Sequence, residues 1–134
     1  MSQVKVRTAL EETLAAMTPA LATALENVRF TPPAANVPYQ KAFVLFAEPD
    51  DPEAGHSLHF ERGIFQVTLM YPLQTGDGTA RARAEAIRAI FYRGASFTNS
   101  GITVVVVNTP EAGQGVVEDG RWSIPVKIRF LAQI

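Results

Sequence analysis

Tyr39 to Ala47 places Phe43, Leu45 and Ala47 on one side of an extended chain and Ala42, Val44 and Phe46 on the other. A strand that is apolar on both sides needs cover on both. Ile102 to Val107 makes the same demand, because every residue in it is β-branched and neither side is polar. It reads as a central strand. Ile64 to Pro72 alternates Phe65, Val67, Leu69 and Tyr71 against Gln66, Thr68 and Met70. Trp122, Ile124, Val126, Ile128 and Phe130 alternate in the same way with Ser123, Pro125, Lys127 and Arg129. Both patterns predict strands with one face on a core. Pro125 has no N–H to give a ladder, so the last strand is expected at an edge or bulged there.

Two helices supply cover. Val6, Leu10, Leu14, Met17 and Leu21 fall on one stripe of a helix that starts at Ser2 and ends at Thr18-Pro19. Ala80, Ala84, Ile87 and Phe91 form the buried stripe of a second, after cap candidates in Gly76-Asp77-Gly78-Thr79. Gly94 suits the position just past its end, and Arg81, Glu85 and Arg88 point outward. Val28-Arg29-Phe30 reads as a short strand and Thr31 to Pro38 as a proline-stiffened loop, while Asn99-Ser100-Gly101 and Glu118-Asp119-Gly120 read as turns. The order predicts an α+β domain, with two helices packed on one face of a mostly antiparallel four- to five-stranded sheet. A chain of 134 residues fits a single domain, 1–134.

Composition excludes several kinds of chemistry. With no cysteine there is no thiolate nucleophile, disulfide framework or Cys-ligated metal. Lys and Arg number 12 against 13 Asp and Glu, so no excess of positive charge is available for sequence-independent binding to nucleic acid. No apolar run approaches membrane-spanning length, and no apolar segment follows Lys5 and Arg7 as in a secretory signal, so a cytosolic protein without membrane contact is expected. His56, His59 and Glu61 could hold a metal only with a third strong ligand, and no further His exists. Gly94-Ala95-Ser96-Phe97-Thr98 lacks the second glycine of a nucleophile elbow and follows a helix rather than a strand. Gly76-Asp77-Gly78 and Gly113-Gln114-Gly115 lack the residues of a phosphate loop. Arg81, Arg83, Arg88 and Arg93 share their segment with Glu85 and read as a solvated helix face. No catalytic residue, metal site or cofactor is expected. Charged residues are 19% of the chain, a low share that leaves neutral surface for protein contacts.

Several segments together resemble the bacteriophage tail terminator-like proteins. They are Ala9-Leu10-Glu11 and Ala15-Ala16-Met17-Thr18-Pro19, Glu26-Asn27-Val28 with Phe30-Thr31-Pro32-Pro33, Pro38-Tyr39-Gln40, and Phe91-Tyr92-Arg93-Gly94. The most specific is Glu61-Arg62-Gly63-Ile64-Phe65-Gln66-Val67 followed by Tyr71-Pro72. The resemblance implies a virion protein without enzymatic activity. Such subunits form a homo-oligomeric, hexameric ring on the tail tube, stop its polymerisation and offer a surface to head-completion proteins. It implies a location at the head-proximal end of the tail, reached after assembly in the host cytoplasm. A head–tail connector or neck protein, and a small intracellular ligand-binding domain, are the alternatives.

If DNA slides through such a ring, acidic rather than basic loops are expected on its lumen. Asp50, Asp51 and Glu53 are the first candidates for a lumen or interface loop, and Glu118 and Asp119 the second.

Overall fold

The computed structural model describes residues 2–50 and 59–133. In chain order the elements are α1 (Ser2–Ala15), β1 (Ala22–Leu25), β2 (Tyr39–Phe46), β3 (Phe60–Tyr71) and α2 (Gly78–Ile90). They are followed by β4 (Ser96–Asn99), β5 (Ile102–Val106), β6 (Glu111–Ala112), β7 (Val116–Glu118) and β8 (Arg121–Gln133). All eight strands belong to one mixed sheet, curled into a half-barrel, with the order β1-β2-β3-β8-β5-β4 and with β6 and β7 also paired to β8.

This corrects the expected fold. The sheet has eight strands instead of four or five, β1 runs parallel to β2, and the chain is mostly β. The additional strands β4, β6 and β7 are two to four residues long, too short for any alternation to show. The expected strand at Val28 to Phe30 is turn and loop, and the strand lies earlier, at β1. The last strand is not at an edge. β8 runs through the middle of the sheet, with β3 along one side and β5, β6 and β7 in succession along the other. Pro125 is accommodated because its backbone polar groups face the gap between β6 and β7. There its carbonyl accepts from the Gly113 N–H at 2.8 Å, and no ladder partner stands where its own N–H is missing.

The length of β3 and β8 forces the curl, because strands of 12 and 13 residues accumulate twist along their whole pairing. β2 and β3 come closest to a steric limit at Gly63. A Cβ there would stand 2.2 Å from the Leu45 carbonyl oxygen, so β2 and β3 approach closely only because the residue is glycine.

Inside the curl lies the core. Ala42 and Val44 of β2, Phe65, Val67 and Leu69 of β3, Val104 and Val106 of β5, and Ile124 to Ala132 at alternate positions of β8 are all buried. The stripe Val6, Leu10, Leu14 and Met17 and the stripe Ala80, Ala84, Ile87 and Phe91 join the same cluster. Phe91 packs between Phe65 and Phe97, with ring centroids 5.9 and 5.2 Å away. Each such side chain contributes about 1.5–3 kcal/mol when fully buried.

α2 covers β3 and β8, while α1 lies against β4, β5 and β3 and reaches both outermost strands. Arg7 pairs with Glu26, just past β1, and Glu12 accepts from Asn99 at the end of β4 at 3.3 Å. α1 ends at Ala15, three residues before the expected Thr18, with a last tight turn from the Met17 N–H to the Leu14 carbonyl. α2 ends at Ile90, so Gly94 is not its terminal residue. With φ +94° it instead swings the chain into β4 and donates its N–H to Val106 at 2.7 Å.

Candidate interaction surfaces

The turn that carries Glu118 and Asp119 follows from local backbone chemistry. Asp119 and Gly120 carry positive φ, 51° and 70°, and join β7 to β8 in a two-residue hairpin that pairs Glu118 with Arg121. The carboxylates of Glu118 and Asp119 meet a cation across the sheet. Lys41 Nζ lies 3.3 Å from Asp119 and 3.5 Å from Glu118. Burial lowers the Lys41 pKa, but hydrogen bonding to Asp119 and the surrounding negative charge outweigh it, and the ammonium is held above its ordinary value. Asp50 exchanges two backbone hydrogen bonds with Phe60, at 2.8 and 3.0 Å, at the start of β3. Asp51 and Glu53 lie outside the described residues.

The structure does not bring the two acidic segments together. Phe60 pairs with Gln133 and Tyr71 with Trp122, so Asp50 stands at one end of the β3–β8 pair and Glu118-Asp119 at the other. Nearly the whole of β3 separates them, roughly 35 Å at about 3.3 Å per residue.

A buried arginine that sequence reasoning missed holds the other side of the same turn. Arg121 opens β8 with 6% of its surface exposed and donates to the carbonyls of Val37, Pro33 and Ala34, the last two at 2.8 and 3.1 Å. Its guanidinium lies 4.7 Å from the Tyr39 ring centroid, and Tyr39 in turn packs on Phe30 at 5.3 Å. The loop of residues 31–38 is thus fastened across the end of the sheet. The signal for this was indirect: a run of prolines leaves carbonyls without neighbouring N–H groups, and only a fork of donors can collect several at once.

The arginines of the second helix divide. Arg88 and Arg93 are exposed, as expected of a solvated face, but Arg83 is buried and donates to the Pro19 carbonyl. Burial pulls its pKa below the ordinary arginine value, opposed by Tyr71. Arg81 bridges Asp77 at 3.1 Å and the Gly113 carbonyl at 3.0 Å, and Asp77 also accepts from the Trp122 indole at 2.8 Å. Gly115 lies directly on that indole, where a Cβ would come within 2.1 Å of the ring. These contacts tie the start of α2 to the β6–β7 segment.

Nothing among the described residues assembles chemistry. His59 and Glu61 lie 3.5 Å apart, Ser96 is exposed at the start of β4, and no group of three or more His, Asp or Glu comes together. No described helix is long and apolar enough to cross a membrane. What the outside of the sheet does present is apolar surface. Leu45 is 52% exposed, with Ile64 and Leu131 partly exposed beside it, and Val107, Val116 and Val117 are also exposed.

A small, mostly-β domain with an organised core and apolar side chains left outside has the make-up of a subunit that contacts other protein surfaces. The chain belongs to the phage tail terminator family, whose family model, described as phage tail terminator protein, matches residues 5–130. That family is structural rather than catalytic and makes the protein a bacteriophage virion component of the tail. Seven chains of solved structures match, one of them 31% identical over 100% of this chain and 97% of its own, with a TM-score of 0.81. No curated protein matches.

Proposed function

We propose that the chain is the tail terminator subunit itself. It forms a homo-oligomeric ring, hexameric as the family resemblance implies, at the head-proximal end of the tail tube. The ring stops tube polymerisation and offers its far surface to a head-completion protein. The observation that carries this reading is the family match over residues 5–130. The apolar surface on the outside of the sheet supports it, because a ring neighbour would remove that surface from water. Assembly takes place in the host cytoplasm, without membrane and without sequence-specific contact to DNA.

Because Asp50 and the Glu118-Asp119 turn stand at opposite ends of one strand pair, the lumen hypothesis divides. The segment from Asp50, with Asp51 and Glu53, lines the passage, while Glu118 and Asp119, already engaged by Lys41, belong to the wall between subunits. The test is polymerisation of purified tail tube protein with and without this protein, with tube lengths read by electron microscopy. Tubes of unlimited length in its presence, with no ring at either end, would exclude the terminator role.

A further inference from the structure

The outer face of the sheet carries a trough of about 300 Å³ that runs across β2, β3, β8 and the end of β5. Ala47, Ile64, Val107 and Leu131 line it together with Arg62, whose Nε donates to the Glu48 carbonyl at 2.9 Å, and Arg129, which bridges the exposed Glu111 at 3.4 Å, so the trough keeps an excess of positive charge. Leu45 stands beside Ile64 through the β2–β3 register and is more than half exposed. On the core face of the sheet, α1 and β1 enclose a second groove of about 240 Å³. Leu14, Ala15 and Leu25 supply its apolar wall, and Glu11 and Glu12 its charge. Burial raises the pKa of Glu11; Arg7 lowers it and Glu26 raises it further, so an additional cation at this groove would find a carboxylate that gains from its company.

We propose that the trough is the seat of a second copy of this chain, which presents its α1–β1 groove. The inference rests on the ring reading above and specifies which two surfaces meet. Charge complementarity selects the pairing. Two troughs face to face would oppose arginine to arginine, and two grooves glutamate to glutamate. Only trough against groove sets Arg62 and Arg129 on Glu11 and Glu12 with apolar surface between them. Because the two patches are different surfaces of one subunit, the contact is head-to-tail, and such a contact repeats from copy to copy into a ring when the rotation between copies closes.

Two variants test it. Leu45→Glu with Arg129→Glu disables the trough and leaves the groove; Glu12→Arg with Ala15→Arg does the reverse. Native mass spectrometry of each alone is expected to show the 14.6 kDa monomer where the wild type shows a ring. A 1:1 mixture joins the intact trough of one variant to the intact groove of the other. It is expected to give a dimer of twice the subunit mass and nothing larger, which also shows that both variants are folded. A milder pair, Arg62→Gln and Glu12→Gln, is expected to weaken the wild-type assembly at least about tenfold without charge reversal, which corresponds to about 1.4 kcal/mol. Rings formed by either double variant alone, or by their mixture, overturn the assignment and leave the ring reading standing. A mixture that stays monomeric while both variants keep the wild-type circular dichroism spectrum also overturns it. A wild type that stays monomeric even with tail tube protein present overturns the ring reading together with this seat.

Discussion

Arg121 collects three carbonyls of a proline-rich loop and covers a tyrosine ring, a set of contacts that suits a planar fork of donors and no other side chain. Arg121→Ala is expected to cost about 1.5–3 kcal/mol, because it loses hydrogen bonds from a buried charged donor and the packing of its guanidinium on Tyr39. Arg121→Lys should recover less than half of that, since one ammonium cannot reach all three; urea unfolding of both variants decides the matter. Asp77 makes a pH prediction. Hydrogen bonds from Trp122 and Arg81 hold its carboxyl below the ordinary 3.8. A folded-state pKa below the unfolded one gives stability that is present above the unfolded value and lost as pH falls through the folded value. Wild type should therefore lose more stability than Asp77→Asn on acidification from about pH 5 to about pH 2. Denaturant midpoints that fall equally for both would show that the carboxylate is not used in this way. Neither residue could be singled out in the sequence. Arg121 looked like any residue after a turn, and Asp77 like a helix cap, yet it makes no side-chain capping hydrogen bond and is occupied by Trp122 and Arg81.

Among elements, legibility followed length. β2, β3, β8, α2 and most of α1 could be read because nine or more residues of consistent periodicity outweigh local preference in each or, in β2, because both faces are apolar. β1, β4, β6 and β7 could not, since two to four residues carry no period and their pairing is decided by β2, β5 and β8. Pro125 misled for a related reason: the break that accommodates it lies in the partner segment between β6 and β7, far along the chain from the proline itself. The close approach at Gly63 was equally invisible. Gly63→Ala is expected to destabilise the fold by about 2–4 kcal/mol, because the obstacle is the Leu45 backbone carbonyl, which cannot move without breaking the β2–β3 ladder. Thermal unfolding of the variant checks this, and a melting temperature within a degree or so of wild type would refute the close contact. Gly115→Ala, against the Trp122 ring, is expected to cost less, since that ring is half-exposed and can tilt.

For the whole molecule, the feature of the sequence that demanded most was the strand apolar on both sides, and its second demand is unmet within one subunit. One side of β2 is sealed in the core, while the other runs from a half-buried Phe43 to an exposed Leu45. Glu118 and Asp119 were legible as a turn, but their separation from Asp50 was not, because distance along a strand cannot be judged before the register is known. If ring neighbours supply the missing cover, stability becomes linked to association. The unfolding temperature should then rise with protein concentration, by several degrees over a hundredfold range, and calorimetry at several concentrations reads it directly. A temperature independent of concentration would mean that each subunit stands alone.

The packing of α1 on β4 and β5 also bears on the order in which the structure can form. The helix is synthesised before every strand it touches, and its partners β4 and β5 emerge only after most of the chain has followed. Until then Val6, Leu10 and Leu14 have only part of their cover, from β2 and β3. Folding of this chain is therefore governed by contacts between its distant parts. The slow step should be the docking of the first helix into a sheet already built, which leaves a newly made subunit exposed to aggregation longer than its small size suggests.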